Sequence, residues 1–576
     1  MSRFAQETSW GATLLAPDRT RFRIWAPEAA RVALEVTGRD PLPMQAEGEG
    51  WFGIEAPVGA GARYRFRVAS DLAVPDPASR QQDGDVHDAS VVVDPRAFAW
   101  QHAGWRGRPW HEAVIYELHA GAMGGFRGVQ AALPRLRELG ITAIELMPVA
   151  DFPGARNWGY DGALPYAPDA AYGTPEDLKA LVDAAHGMGL MVLLDVVYNH
   201  FGPDGAYLHA YAKPFFDGGV HTPWGAAIDF RKPAVRSYFE ENALFWLNEY
   251  RFDGLRFDAV HAIAEADWLD ALAARIRREV QQDSPGRHVH LVLENERNAA
   301  RHLRPLGEFD AQWNDDGHNV LHALLTGERE GYYEDFAGDG AAKLAKVLAE
   351  GFLFQGQVSG HLGAPRGEPS AALPPTAFVL FLQNHDQVGN RAFGERLARL
   401  ADPQALAAAT ALLLLSPQIP LLFMGEEWGA TAPFLFFTDH NAELAPLVTA
   451  GRRKEFAKFA AFQDPAQRER IPDPNAEASF RASIPDPGEA ERPLHSGTLA
   501  LHRRLLALRR ERIMPHLPGA RSAGARAVGP AAVIARWRLG DGSVLLLATN
   551  LGEAPSACTA AGEALWEGVP GAAASL

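Results

Sequence analysis

The chain has 576 residues, 47% apolar and 22% charged, so a large folded unit with smaller attachments fits and a disordered chain does not. Its formal net charge of -16, from 71 acidic against 55 basic residues, disfavours a nucleic-acid partner, whose phosphates call for a Lys/Arg surplus. The only cysteine, Cys558, excludes an intramolecular disulfide and a multi-cysteine metal site.

The opening stretch MSRFAQETSWGATLL lacks the apolar core of a secretion signal, and no later run could span a bilayer. A reducing, cytoplasmic location without a membrane partner is the expectation. Phe22 and Ile24, then Tyr64, Phe66 and Val68, alternate with polar residues, the period of half-buried strands. Frequent Pro and Gly in this region suit a small N-terminal β-sandwich over residues 1–100.

From about Trp110 the rhythm changes. Short apolar runs (AIELMPV, LMVLLDVV, GLRFDAV, HLVLEN, FVLFLQN and PLLFMG) alternate with segments of helical period. One helix is legible in detail: Thr174 as N-cap, Pro175 at the first position and Asp177 completing a capping box. Leu178, Leu181, Val182 and Ala185 then share one face, and Gly187 and Gly189 end it. A second helix runs up to Tyr250 with Val235, Tyr238, Phe239, Asn242 and Trp246 on one side, and Ala405–Leu415 reads as a buried one. Strands buried on both faces and followed by helices predict a parallel sheet. Its repetition favours a closed (β/α)8 TIM barrel over residues 101–495, with a loop subdomain at about 201–232, rather than a doubly wound open sheet. Beyond it, Leu501, Leu505 and Leu508 mark a final helix, and Asp541-Gly542 between alternating segments predicts a hairpin. Residues 496–576 therefore read as this helix and a small C-terminal β domain.

Several predicted strands turn polar at their C-terminal ends. The third gives Asp195, Asn199 and His200, and the fourth Arg256 and Asp258. The fifth gives Glu294, Asn295 and Glu296, and the seventh Asn384, His385 and Asp386. In a parallel barrel these ends converge on one mouth. Each residue alone fits a solvated loop; four such strand ends together fit a catalytic mouth. Glycoside hydrolysis needs two carboxyl groups there, one to attack the anomeric carbon and one to protonate the leaving oxygen. No HExxH spacing occurs, so a catalytic metal is not expected.

DVVYNH, GLRFDAVH, LVLENE and FLQNHDQ, in that order, resemble the four sequence regions of the α-amylase superfamily. The resemblance implies Asp258 as nucleophile, Glu294 as general acid/base and Asp386 as a third carboxylate gripping substrate hydroxyls. It further implies that Arg256 holds Asp258 ionised through a charge-assisted bond, that His200, Asn384 and His385 meet the sugar being cleaved, and that Tyr160, in NWGYDG, lies beneath it. His261 would line a leaving-group subsite, and Asp195 would partner Arg256. His200 also fits a hydrogen-bonded loop histidine, and Tyr160 a core aromatic. Glu426 and Glu427 read as mouth or packing residues.

Across its length the chain is similar to the maltooligosyltrehalose trehalohydrolases. FRIWAPEAARVAL, VPDPASR, ELMPVADFPGARNWGYDG, LTGEREGYY and LLFMGEEWGATAPFLFFTDH carry that likeness. It implies a carbohydrate-binding-module-like sandwich, a maltooligosyl trehalose or related α-glucan substrate, no cofactor, and a maltooligosyltrehalose synthase as pathway companion. A nucleophile with an acid/base implies retention, with the two carboxyl groups about 5–5.5 Å apart. Branching or debranching of α-glucans, and a non-catalytic glucan-binding protein, are the alternatives. After IYELHAG only AMGGFRG remains where the family carries a longer loop, which leaves the subsite shape after Gly121 open.

Overall fold

The computed structural model describes residues 4–222, 225–558 and 562–568; the rest of the expected loop subdomain and C-terminal domain lies outside them. Two antiparallel sheets open the chain. One orders Gly11–Ala16, Arg19–Trp25, Trp51–Ala56 and Gln45–Gly48; the other is built around Ala33–Val36 and Arg63–Ala69. Phe22 of the first meets Tyr64 of the second with ring centroids 4.7 Å apart. The alternating apolar residues thus close a core between the two sheets.

Eight parallel strands then form a closed barrel: β1 (Ile115–Leu118), β2 (Ala143–Leu146), β3 (Met191–Val196), β4 (Gly254–Phe257), β5 (His290–Leu293), β6 (Ala311–Trp313), β7 (Phe378–Phe381) and β8 (Ile419–Phe423). The helices around it are α1 (Gly125–Leu139), α2 (Pro175–Gly187), α3 (Pro233–Asn248), α4 (Ala266–Asp283), α5 (Asp315–Thr326), α6 (Gly340–Glu350), α7 (Pro403–Leu415) and α8 (Pro493–Leu508). The capping box at Thr174 and Asp177 is formed, and α2 ends at Gly187. Helix α3 stops at Asn248, short of the expected Tyr250, while burying the face read from its spacing.

Two strand connections stand out. Between β5 and β6 there is no α-helix, only a 3-10 turn at Ala300–His302. Between β1 and α1 the chain makes one short turn, Gly121–Met123, so this connection is as brief as the sequence implied. After the third strand, Phe216–Thr222 pairs antiparallel with Gly225–Ile228.

The N-terminal sheets dock on the barrel through α3. Trp10 meets Tyr238 at 5.0 Å between ring centroids, and Arg80 donates to buried Glu249 at 2.9 Å. At the other end, Arg521–Ala527, Ala532–Arg538 and Val544–Asn550 make an antiparallel sheet, with Gly542 at φ +87° in the predicted turn. Cys558, just beyond it, is buried. Among the described residues no helix is long and apolar enough to cross a membrane.

Candidate active site

Strand pleating builds the barrel interior in layers, because every second residue points inward. Ile115, Ala143, Leu193 and Val292 belong to one buried apolar floor. Two residues further along the same strands stand Glu117, Glu145, Asp195 and Glu294, so the floor gives way to a layer of carboxyl groups. One guanidinium sits among them. Arg256, opposite Asp195 in the β3–β4 register, is fully buried and lies 4.1 Å from the centroid of the Trp313 ring on β6.

Arg256 ties the layer together. Its Nη1 donates to Asp195 Oδ2 and to Asp258 Oδ1, both at 2.7 Å, and its Nη2 stands 3.9 Å from Glu294 Oε2. Tyr160 donates its hydroxyl to Asp195 at 2.6 Å and stacks on His385, with centroids 5.0 Å apart and planes at 21°. The ring of His200 reaches the Tyr160 carbonyl at 2.9 Å. Immediately after Asp258, Ala259 takes left-handed angles of φ 41° and ψ 43°, a conformation that costs a non-glycine residue about 1–2 kcal/mol. That turn aims its N–H at Glu294 Oε2, 2.6 Å away.

The three carboxylates differ in surroundings. The Asp258 side chain is 11% exposed, that of Glu294 16% and that of Asp386 42%, so the last faces the open mouth. Burial pushes the Glu294 carboxyl well above the usual range; Arg256 opposes this, while Asp258, Asp315 and Asp386 add to it. Asp195 is pushed up to about 6 by burial, against the pull of Arg256. Burial lowers His200, the Asp258 charge working against it.

Other expected residues make these contacts. Asn384 is buried, and its Oδ1 accepts the Gln387 N–H at 2.8 Å, capping the short helix His385–Gly389. Half-buried His261 faces Glu296, with 3.8 Å between Nε2 and Oε2. Glu427 is bound by Tyr116 and Arg135 inside the wall, and Glu426 accepts the Phe423 N–H at 3.1 Å.

Four further groups were not singled out from sequence. Glu117 takes the main-chain N–H of His385 at 3.0 Å and pairs with its Nδ1. Asp315, two residues past β6, is pushed up to about 7 by burial and by Asp386. Trp158 stacks on Phe434 at 5.4 Å and stands perpendicular to His385 at 5.5 Å. Glu145 is buried with no hydrogen-bond partner on either oxygen among the described residues. No group of three His, Cys, Asp or Glu among the described residues is arranged to hold a metal ion.

Two of these environments yield predictions. Burial, with Glu117 and Asp195 adding to it, pushes the Glu145 carboxyl well above the usual range. A carboxyl raised on folding supports stability below its unfolded titration range and loses that support as pH rises towards its folded value. Glu145→Gln should therefore gain stability over the parent as pH rises above about 4.3, by about 1.4 kcal/mol per pH unit while the parent's Glu145 stays protonated. Urea midpoints from pH 5 to 8 test this, and a difference independent of pH would contradict it. A Cβ at Gly389 would lie 2.1 Å from the Trp158 ring, so Gly389→Ala should lower stability by about 1–3 kcal/mol. The same urea midpoints read that cost, and an unchanged value would show that Trp158 moves freely.

Comparison with known proteins agrees with this architecture. Residues 83–214 match the model of the α-amylase catalytic domain, and residues 520–576 match a domain of unknown function, DUF3459. The malto-oligosyltrehalose trehalohydrolase of Deinococcus radiodurans is 44% identical over 88% of this chain and 83% of its own. That of Arthrobacter ramosus is 42% identical over 85% and 87%. A crystal structure of a putative α-amylase from Salmonella typhimurium superposes with a TM-score of 0.91 at 46% identity, covering 97% of this chain and 96% of its own. The chain belongs to the malto-oligosyltrehalose trehalohydrolase family, glycoside hydrolases of the α-amylase superfamily.

Proposed function

We propose that this protein hydrolyses the α-1,4 bond next to the terminal trehalose of maltooligosyl trehalose, releasing trehalose, with retention at the anomeric carbon. The observation that carries the catalytic reading is Arg256, which bonds Asp258 at 2.7 Å and stands 3.9 Å from Glu294. A carboxylate bonded by a buried guanidinium is held in one aim. A carboxyl raised by burial keeps its proton. A fixed nucleophile beside a protonated acid is the pairing that retaining hydrolysis requires.

In this reading Asp258 attacks the anomeric carbon as Glu294 protonates the departing oxygen. The Ala259 N–H engages Glu294 Oε2, which leaves Oε1 to carry the proton. Glu294, now ionised, then takes a proton from a water whose oxygen bonds to the anomeric carbon, as the ester bond to Asp258 breaks and its carboxylate is restored. Asp386, His385 and His200 hold hydroxyls of the sugar being cleaved, over the Tyr160 ring. Asn384 acts by capping the turn that presents His385 and Asp386, and His261 lines the leaving-group side. Asp195 fixes Arg256 and Tyr160 together.

In this proposal residues 1–100 and 101–495 make up the sandwich and barrel domains, and 496–576 the final helix, whose first turn begins at Pro493, with the C-terminal β domain. No cofactor takes part, the setting is cytoplasmic, and a maltooligosyltrehalose synthase supplies the substrate. Product analysis tests the function. Maltooligosyl trehalose should give free trehalose as the main product, well ahead of cleavage of plain maltooligosaccharide. New α-1,6 branches, or debranched chains from amylopectin, would replace this reading with branching or debranching.

A further inference from the structure

We infer that Glu117 is a positioning residue for this reaction: its carboxylate grips His385 at two points and fixes that histidine as a doubly protonated donor at the mouth. The inference takes from the functional reading only the place of the sugar; the pairing itself stands on geometry. One Glu117 oxygen accepts the His385 main-chain N–H at 3.0 Å, and the other pairs with Nδ1 of the same residue. Both side chains are almost completely buried, at 2% and 1% exposure. Because Glu117 lies on β1 and His385 just past β7, the grip crosses the barrel wall, with β8 between the two strands.

A carboxylate on Nδ1 requires a proton there, as in other carboxylate–imidazole pairs. The second nitrogen, Nε2, lies 3.4 Å from Asp386 Oδ1. Acceptors therefore flank both ring nitrogens, an arrangement that a neutral imidazole satisfies on one side only. The Tyr160 ring covers one face of the imidazole, and the Trp158 ring stands perpendicular to it.

The other charged and titratable groups around the ring are Glu145 on β2, Asp195 on β3, Arg256 on β4 and His119 just past β1. Burial, and less strongly Arg256, oppose a second cation here, while Asp386 and Glu117 outweigh them and raise His385 to about 9. Burial lowers His119 to about 4, so no competing cation stands at that side. With both nitrogens protonated, His385 offers its Nε2–H to a sugar hydroxyl and balances the charge of Asp386. With Nε2 bare, it would present a lone pair to a carboxylate and could only accept.

Histidine side-chain 15N spectra of the full chain test this directly, with the His385 signal assigned by its loss in His385→Gln. A histidine doubly protonated at pH 8 is expected, and it should be neutral at that pH in Glu117→Gln. Absence of any doubly protonated histidine at pH 8 overturns the inference without the need for a variant to fold. In kinetics, Glu117→Gln should lose at least tenfold in kcat/KM at pH 8 and less at pH 5.5, where a higher proton concentration and Asp386 favour the charged ring against burial. Glu117→Asp should recover part of the loss. An equal loss at both pH values would mean a merely structural role. If trehalose is not the product, the substrate reading fails while the spectra still decide the Glu117–His385 pairing.

Discussion

Replacing Asp258 by Asn should lower kcat by about 10⁴-fold or more, the order of loss seen when a covalent hydrolase loses its nucleophile, while the protein stays folded. The amide keeps the volume of the carboxylate and can still accept from Arg256 Nη1. That guanidinium also keeps Asp195 at 2.7 Å, so its buried charge is not left alone. The lost quantity is nucleophilicity: a neutral amide does not form the glycosyl ester through which retention proceeds. Initial rates and urea midpoints measured side by side check both halves of the expectation. Asp258→Gly adds a sharper arm. Azide entering the vacated space should restore sugar release as the β-glycosyl azide, because it attacks the face the carboxylate used. An α-product would contradict double displacement.

Glu294→Gln should remove about 10²–10⁴-fold of the rate, and the loss should depend on the leaving group. A glucosyl fluoride needs little help from a proton, so it should react far better in this variant than an oligosaccharide does. The pH dependence carries a defined sign. Glu294 works as an acid in its protonated form, and burial holds its carboxyl well above the usual range. The parent rate should accordingly stay high past the ordinary carboxyl range and fall only as pH rises through the raised value. In Glu294→Gln that alkaline limb should disappear while the acid-side limb remains. Retention of both limbs would assign the acid to another group, and Asp315, pushed up to about 7, would be the first to examine.

Local patterns in the sequence translated faithfully into structure. The capping box at Thr174 needs only its own turn to form, and Asp541-Gly542 needs only the hairpin it closes. Polar strand ends were equally legible, because closure of a parallel barrel brings them together whatever the intervening helices do. Strand β6 was not, since Ala311–Trp313 is too short to carry a period. With it went Trp313, whose ring supports Arg256, and Asp315 beyond. Glu117 and Glu145 sat in full view inside IYELHAG and AIELMPV. A strand buried on both faces shows no alternation, so its letters do not tell which acid points into the barrel. Asn384 illustrates the converse: its position among site residues was evident, but its Oδ1 engages the Gln387 N–H, a local bond that composition does not disclose.

Cys558 is the only sulfhydryl in the chain and is buried in the C-terminal region. The unaltered protein therefore contains a single-site clock for its own breathing. A thiol reagent in excess can modify this side chain only while the surrounding segment is open, so the modification rate measures the population of that opening rather than surface chemistry. Read with and without a glucan in the barrel, the same rate reports whether occupancy of the mouth tightens the C-terminal region, with no engineered label to disturb either.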